Sequence, residues 1–351
     1  MENIDVHDGM AIGFYLVKGM NNLVLNCDAH DNYDGYSEGD SGNVDGFGGH
    51  ANKETSTGNI FRGCRAWNNG DDGFDLINCY ASYIIEYCWS FRNGYKPHSI
   101  ESSGGNGAGF KSGGYGMGDI KKVPNPIPQH TVRYCLAYYN RQQGFYSNHH
   151  LGGLIFENNT AYKNPSNYNM LNRKSSNEAV DVPGYGHIIK NNLSLSPRNS
   201  GGFPQHLINV DNTLSEIKNN SFAPNDLNLS ESDFESLNEQ ELMGSRKSDG
   251  SLPDINFLRL TNHANFRFSG MGCFINEEAV DYSWIQEPAI VLENGVARIV
   301  GEDSKSFNKF YVNGEEVSIE NGIVDLTSMS GELNLKAISE NGAVTTLIIN
   351  K

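Results

Sequence analysis

This sequence predicts an all-β fold: a right-handed parallel β-helix over residues 1–285, then a small antiparallel β-sandwich over 286–351. Three observations carry the prediction. A repeat is anchored on cysteine and asparagine, a Gly-Phe dipeptide recurs in a second register, and Asn-Gly hairpin turns crowd the C-terminal end. Composition agrees, because 39 Gly, 17 Phe and 17 Tyr in 351 residues, with only 19% charged, describe a turn-rich, aromatic-rich chain rather than a helical or disordered one.

The repeat aligns seven segments on Cys27, Cys64, Cys88, Cys135, Asn159, Asn192 and Asn220, at intervals of 37, 24, 47, 24, 33 and 28 residues. A base period near 24 with inserted loops is the spacing of stacked coils made of short strands and turns. The local pattern is an apolar-rich stretch ahead of the anchor, then [Cys/Asn]-x-[Ala/Ser]-aromatic-x-Asn, as in Cys64-Arg65-Ala66-Trp67-Asn68-Asn69. Five coils carry Asn at one offset, Asn32, Asn69, Asn93, Asn140 and Asn164. Stacked carboxamides hydrogen-bond from rung to rung, so these five predict an asparagine ladder.

The second register is Gly13-Phe14, Gly46-Phe47, Gly73-Phe74, Gly109-Phe110 and Gly144-Phe145. Phe stacked inside a solenoid, with Gly allowing a tight bend before it, suits a β-helix corner. Four cysteines at one rung position predict a row of free, buried thiols rather than a disulfide framework. Residues 225–250 are polar and charged, as a surface loop or short helix is. Pro253-Asp254-Ile255-Asn256-Phe257-Leu258 reads as a last strand closing the solenoid. Beyond it, Asn313-Gly314, Asn321-Gly322 and Asn341-Gly342 sit between apolar alternations, a strong hairpin signal.

Acidic residues gather where two coils meet the Gly-Phe register, in Asn43-Val44-Asp45-Gly46-Phe47 and Asn69-Gly70-Asp71-Asp72-Gly73-Phe74-Asp75. Alignment on Gly-Phe places Asp45 beside Asp72, about 4.8 Å away along the stack. One Asp beside Gly is ordinary turn chemistry. Four converging carboxylates repel one another unless a cation binds, and hard oxygen ligands at this density suit Ca²⁺. On the next rung Lys111 occupies the position of Asp75. A Lys beside a bound Ca²⁺ has its ammonium destabilised, moving its pKa down toward that of a general base, which suggests removal of a proton alpha to a carboxylate. On the following coil Arg141, Tyr146 and His149 are candidate sugar contacts. His149 and His150 are adjacent on a strand and point to opposite faces, so they do not form a ligand pair.

At these residues the sequence resembles polysaccharide lyase family nine, the pectate and rhamnogalacturonan lyases with a parallel β-helix. The matching elements are Asn43 to Phe47, Gly63 to Leu76 and Gly107-Ala108-Gly109-Phe110-Lys111-Ser112-Gly113-Gly114. The resemblance covers roughly residues 1–270. It implies Asp45, Asp71, Asp72 and Asp75 as ligands of a catalytic Ca²⁺ and Lys111 as the base of a β-elimination on a pectic, uronate-containing backbone, either rhamnogalacturonan I or homogalacturonan. It also implies a secreted, periplasmic or cell-surface setting. Only 44 residues precede Asp45, where family members have further coils and a cap, so the chain reads as a fragment of a longer precursor; it is expected to be monomeric or weakly associated through an open first coil.

With 26 Lys+Arg against 42 Asp+Glu the net charge is −16, which excludes a phosphate-backbone binder. No stretch is long and apolar enough to predict a membrane span. Two rival functions are a β-helical glycoside hydrolase and a carbohydrate-binding solenoid with structural calcium. The hydrolase reading lacks the Gly-His-Gly and Arg-x-Lys elements by which such hydrolases resemble one another.

Overall fold

The computed structural model describes residues 1–36, 42–115, 123–198, 205–222, 227–274, 288–293, 295–300, 304–319, 322–340 and 342–351. They form two compact units: Met1–Arg259 with Met271–Ile275, and Leu260–Gly270 with Asn276–Lys351.

In the first unit three sheets of seven parallel strands each wind as a solenoid. The first sheet stacks Asp5–His7, Asp28–His30, Arg65–Trp67, Trp89–Phe91, Leu136–Tyr138, Thr160–Tyr162 and Leu193–Leu195. The second stacks Phe14–Leu16, Phe47–Gly49, Phe74–Asp75, Phe110–Lys111, Gln143–Tyr146, Ser166–Asn169 and Leu207–Ile208. The third runs from Leu23–Leu25 through Asn59–Arg62, Tyr83–Glu86, Thr131–Arg133, Ile155–Glu157 and Ile188–Lys190 to Glu216–Lys218. Each coil contributes one short strand to each sheet in turn.

The interior is filled by three columns of different size. Small residues line the first sheet (Ala29, Ala66, Ser90, Ala137, Ala161, Ser194), and aliphatic or aromatic ones line the third (Val24, Phe61, Ile85, Val132, Phe156, Ile189), all of them buried. From the second sheet Phe14, Phe47, Phe74, Phe110, Phe145 and Tyr168 stack face to face, with centroids 4.8–4.9 Å apart. Small opposite large fills a narrow core without voids.

Both corners that bound the first sheet use one device. Asp31, Asn68, Arg92, Tyr139 and Lys163 have φ between 50° and 56°, and each precedes a ladder asparagine. The left-handed backbone costs about 1–2 kcal/mol at a non-glycine residue. The ladder offsets it: Asn32, Asn69, Asn93, Asn140 and Asn164 are fully buried, each Nδ2 donating to the next Oδ1 at 2.9–3.1 Å, and the series continues to Asn167. All six cysteines are free and buried; four of them, Cys27, Cys64, Cys88 and Cys135, form the column at the other corner, which passes into a second ladder of Asn159, Asn192 and Asn220.

Two sequence readings need correction. The glycine of Gly-Phe is not there for a left-handed bend, since none of the five has positive φ. A Cβ at Gly13, Gly46, Gly73, Gly109 or Gly144 would lie 2.7–2.8 Å from a carbonyl oxygen of the next rung, so close stacking requires the glycine. Nor do Pro253 to Leu258 form a strand; a single bridge joins Phe257 to Ser236. Phe257 instead packs on Tyr138 and Tyr162, which face outward from the first sheet. Residues 227–259 thus form a strap over that face, with two short 3₁₀ turns, Glu231–Asp233 and Glu239–Met243. Arg65 ties it down by donating to Asp28, Leu242 O and Gly244 O, and Arg246 donates to Asp28, Cys27 O and Gly63 O.

The second unit holds a three-stranded sheet (Ala289–Glu293, Val296–Val300, Ile323–Asp325) and a four-stranded one (Phe307–Val312, Glu315–Val317, Glu332–Ser339, Val344–Asn350), both antiparallel. Ile290, Ala297, Phe310, Val312, Val324, Leu333 and Leu335 make one core from both. The Asn313-Gly314 turn has φ of 52° and 88°, the two positive values a tight hairpin needs. Asn321 and Asn341 lie outside the described residues.

Candidate active site

The second sheet presents its outward residues in a column of rungs. Register pairs Gly48 with Asp75, Asp75 with Lys111, Lys111 with Tyr146 and Tyr146 with Asn169. Asp45 and Asp72 hold the matching place two residues before their stacked Phe. The sequence alignment on Gly-Phe therefore brings Asp45, Asp72, Asp75 and Lys111 to one spot.

Their carboxylates are placed by backbone amides. Asp72 N–H donates to Asp45 Oδ1 at 3.1 Å, Ala108 N–H to Asp72 Oδ1 at 2.6 Å, and Ile77 N–H to Asp75 Oδ1 at 2.7 Å. The second oxygens of Asp72 and Asp75 each lie 3.0 Å from Lys111 Nζ. The approach to Asp72 lacks hydrogen-bond geometry, which leaves that buried Oδ2 short of a hydrogen bond. Asp45 and Asp72 are 2% and 0% exposed, so their charges have little water to lean on.

Electrostatics follow from this crowding. Burial, then repulsion from Asp75, Asp72 and Asp71, pushes the Asp45 carboxyl well above the ordinary carboxylate range. Burial and the neighbouring Asp72 push Asp71 up to about 7, and burial also raises Asp72, against the pull of Lys111. Burial alone disfavours the Lys111 ammonium, but Asp72, Asp75, Asp45 and Asp71 outweigh it and hold Lys111 well above its usual value. The protein's own groups thus act opposite to the lowering that a bound cation is expected to give.

One oxygen from each of Asp45, Asp72 and Asp75 falls within a 4.8 Å cluster that fits a metal ion. Hard carboxylate oxygens already oriented by backbone donors, one of them lacking a hydrogen bond, suit a divalent oxygen-loving cation. Asp71 stands beside this cluster rather than in it. Its Oδ1 accepts from Asn106 N–H at 2.5 Å. Arg141 Nη1 donates to Gly105 O and Asn106 O, at 2.9 and 3.1 Å, so it braces the loop that caps Asp71.

Tyr146 sits one rung beyond Lys111, and its hydroxyl is 2.9 Å from His149 Nε2. His150 points inward, fully buried, hydrogen-bonded to Gly114 N–H and Pro128 O; the two histidines face different ways, but from a turn after Gln143–Tyr146, with Asn148 and His149 at φ 53° and 57°, and not from a strand as expected. Sequence reasoning missed two neighbours. His50 Nε2 lies 3.9 Å from Asp75 Oδ2, buried and without a hydrogen bond; its place three residues past Phe47 of the Gly-Phe register was readable. Asp181 Oδ1 meets His149 Nδ1 at 2.7 Å. It comes from a hairpin, Asn172–Ser175 with Glu178–Val182, that leaves the solenoid, and nothing in the repeat marks it.

Among the described residues, no helix is long and apolar enough to cross a membrane. Residues 1–216 match the family described as Pel9A-like, right handed beta helix region, and residues 211–346 match Rhamnogalacturonan lyase-like, C-terminal. Pectate lyase L of Dickeya chrysanthemi is 34% identical over 80% of this chain and 58% of its own length. Pectate lyase PEL9 of Emericella nidulans is 29% identical over 73% and 60%. Among solved structures, a rhamnogalacturonan lyase is 55% identical with a TM-score of 0.73, over 78% of this chain and 65% of that one. Pectate lyase Pel9A is 31% identical with a TM-score of 0.62, over 79% and 65%. The chain spans less than two thirds of the length of each of these relatives. On the fold, the register of its acidic rungs and the match over residues 1–216, this chain belongs to the Pel9A-like right-handed β-helix family.

Proposed function

We propose that this protein is a calcium-dependent polysaccharide lyase that cleaves a rhamnogalacturonan backbone by β-elimination. The observation that carries the reading is a lysine beside three convergent, buried carboxylates, with Lys111 Nζ 3.0 Å from both Asp72 and Asp75. The likeness to a solved rhamnogalacturonan lyase at 55% identity favours that backbone over homogalacturonan.

Asp45, Asp72 and Asp75 would hold the ion, with Asp71 at its edge. Ca²⁺ held there would supply positive charge that competes with the Lys111 ammonium for the carboxylates, neutralises the substrate's uronate and acidifies its C5–H. Lys111, released as a neutral amine, removes the C5 proton. The C5–H electron pair becomes the C4=C5 double bond, and the C4–O4 bond breaks. Arg141 keeps the Gly105–Asn106 backbone against Asp71 and so fixes the acidic wall of the site. Tyr146 and His149 face the sugar on the leaving side.

Product mass tests the reaction class. Elimination gives two fragments whose masses sum to that of the substrate, whereas hydrolysis adds one water. Incubation with rhamnogalacturonan and homogalacturonan oligosaccharides in calcium should give water-free cleavage of the first. Products carrying an added water would assign a hydrolase, and no cleavage of either would leave a binding solenoid.

A further inference from the structure

We infer that Tyr146 is the proton donor to the departing O4, kept in position and recharged by His149 and Asp181. The inference rests on the lyase reading above and deepens it.

Elimination needs a proton on the leaving side as well as a base, because a sugar alkoxide is a poor leaving group. Lys111 accounts for the base. The next rung along the column, about 4.8 Å further, is Tyr146, in register with Lys111. Base and donor on neighbouring rungs of one sheet address adjacent positions of a sugar chain lying along the solenoid.

The phenol is set in a chain of hydrogen bonds. Tyr146 Oη meets His149 Nε2 at 2.9 Å, and His149 Nδ1 meets Asp181 Oδ1 at 2.7 Å. The rings of Tyr146 and His149 pack edge to face at 5.9 Å, which fixes the tyrosine's orientation. Asp181 is cross-strand partner to Arg173 in the projecting hairpin. An extra hairpin that delivers a carboxylate to the back of one histidine is more than the solenoid's own packing requires. With His149 Nδ1–H given to Asp181, a proton on Nε2 would point at the phenol oxygen and leave the phenol O–H free to face the substrate. Of the other polar groups, Arg141 Nη1 binds the Gly105–Asn106 backbone, His50 lies on the far side of Lys111, beside Asp75, and Arg173, its Nε 3.7 Å from Asp181 Oδ1, shares that carboxylate with His149.

The step balances. Lys111 Nζ gains the C5 proton, the freed pair forms C4=C5, and the C4–O4 pair goes to O4. O4 takes the Tyr146 proton, the phenolate takes the His149 Nε2 proton, and solvent returns His149 and Lys111 to their starting states. Tyr146 is then a catalytic residue, while His149 and Asp181 are positioning residues.

Leaving-group dependence tests this. Tyr146→Phe, Asp181→Asn and Lys111→Ala are compared on a rhamnogalacturonan oligosaccharide and on a uronide carrying a 4-O-dinitrophenyl group, which departs without protonation. Tyr146→Phe should lower kcat on the oligosaccharide by about 10²–10⁴-fold and leave kcat on the aryl ether little changed. Asp181→Asn, an exposed change that leaves the solenoid core intact, should show the same pattern more weakly, with KM unaltered. Lys111→Ala should lose both activities. Equal loss of both substrates in Tyr146→Phe and Asp181→Asn, or no loss on the oligosaccharide, overturns the donor role while the lyase reading stands. Absence of an unsaturated product from wild-type protein on either substrate overturns both.

Discussion

Lys111 is the one cation among four aspartates, Asp45, Asp71, Asp72 and Asp75, so repulsion between carboxylates is only partly offset. Folding raises Asp45 and Asp72 above the ordinary carboxylate value and Asp71 from 3.8 to about 7. A carboxyl whose folded pKa is raised prefers its proton in the native state, so its ionisation erodes stability as pH climbs from the unfolded value through the folded one. For Asp71 that window runs from 3.8 to about 7. A calcium ion held there as proposed needs the ionised form and competes with those protons. The rise in melting temperature produced by calcium, relative to chelator, should therefore be small near pH 4 and grow as pH climbs through the Asp71 window toward about 7. An increment that stays flat across the series, or that shrinks as pH rises, would place the calcium elsewhere.

Among the elements, the rungs and the strap make separate demands. Asn93 accepts from Asn69 N–H and Nδ2 and donates to Ala66 O, Ser90 Oγ and Asn140 Oδ1, all in the interior. Asn93→Ala strands several of these groups at about 1–3 kcal/mol each. Denaturant unfolding should show a loss above about 2 kcal/mol, and a loss within the ±0.5 kcal/mol of a neutral surface change would mean that the ladder is not what secures the corner. The strap depends on Asp28, whose carboxyl is kept low, against its burial, by hydrogen bonds from Arg65 and Arg246. Its stabilisation is present above the unfolded value of 3.8 and fades only as pH falls through the lower folded value. Asp28→Asn leaves the buried Arg65 and half-buried Arg246 guanidinium groups without their shared anion, a change that costs about 3–5 kcal/mol in such settings. Limited proteolysis should then cut within 227–259 at neutral pH, where the wild type resists; equal resistance would show that Phe257 packing alone holds the strap. This region also marks where the sequence misleads. Pro253 to Leu258 has a strand's composition, but Tyr138 and Tyr162 offered Phe257 an aromatic surface, and side-chain packing won over sheet pairing. The ladders were readable because each rung repeats its neighbour, whereas the Asp181 hairpin is an insertion that no repeat constrains.

At the scale of the molecule, the solenoid converts sequence register into a straight row of chemistry. Residues at one offset from Phe47, Phe74, Phe110 and Phe145 become Gly48, Asp75, Lys111 and Tyr146 on successive rungs. The acidic cluster and its lysine could thus be found by alignment on Gly-Phe alone. What alignment could not show is how polar atoms are already spent: Asp71 on Asn106, Arg141 on the neighbouring loop, His149 on Asp181. Those depend on loops between coils, whose lengths vary freely because only the strands must stack. The central claim is that this row performs a calcium-assisted elimination with Lys111 as base. The most direct measurement is the ultraviolet absorbance of the C4=C5 uronate on mixing the protein with rhamnogalacturonan. Absorbance should climb steadily for the wild type in calcium, stop on addition of chelator and resume when calcium is restored. It should fall by about 10²–10⁴-fold in Lys111→Ala in saturating calcium, while loss of the ammonium 3.0 Å from Asp72 and Asp75 lowers the melting temperature of the calcium-free protein. New reducing ends without absorbance, or a Lys111→Ala protein as fast as the wild type, would contradict it.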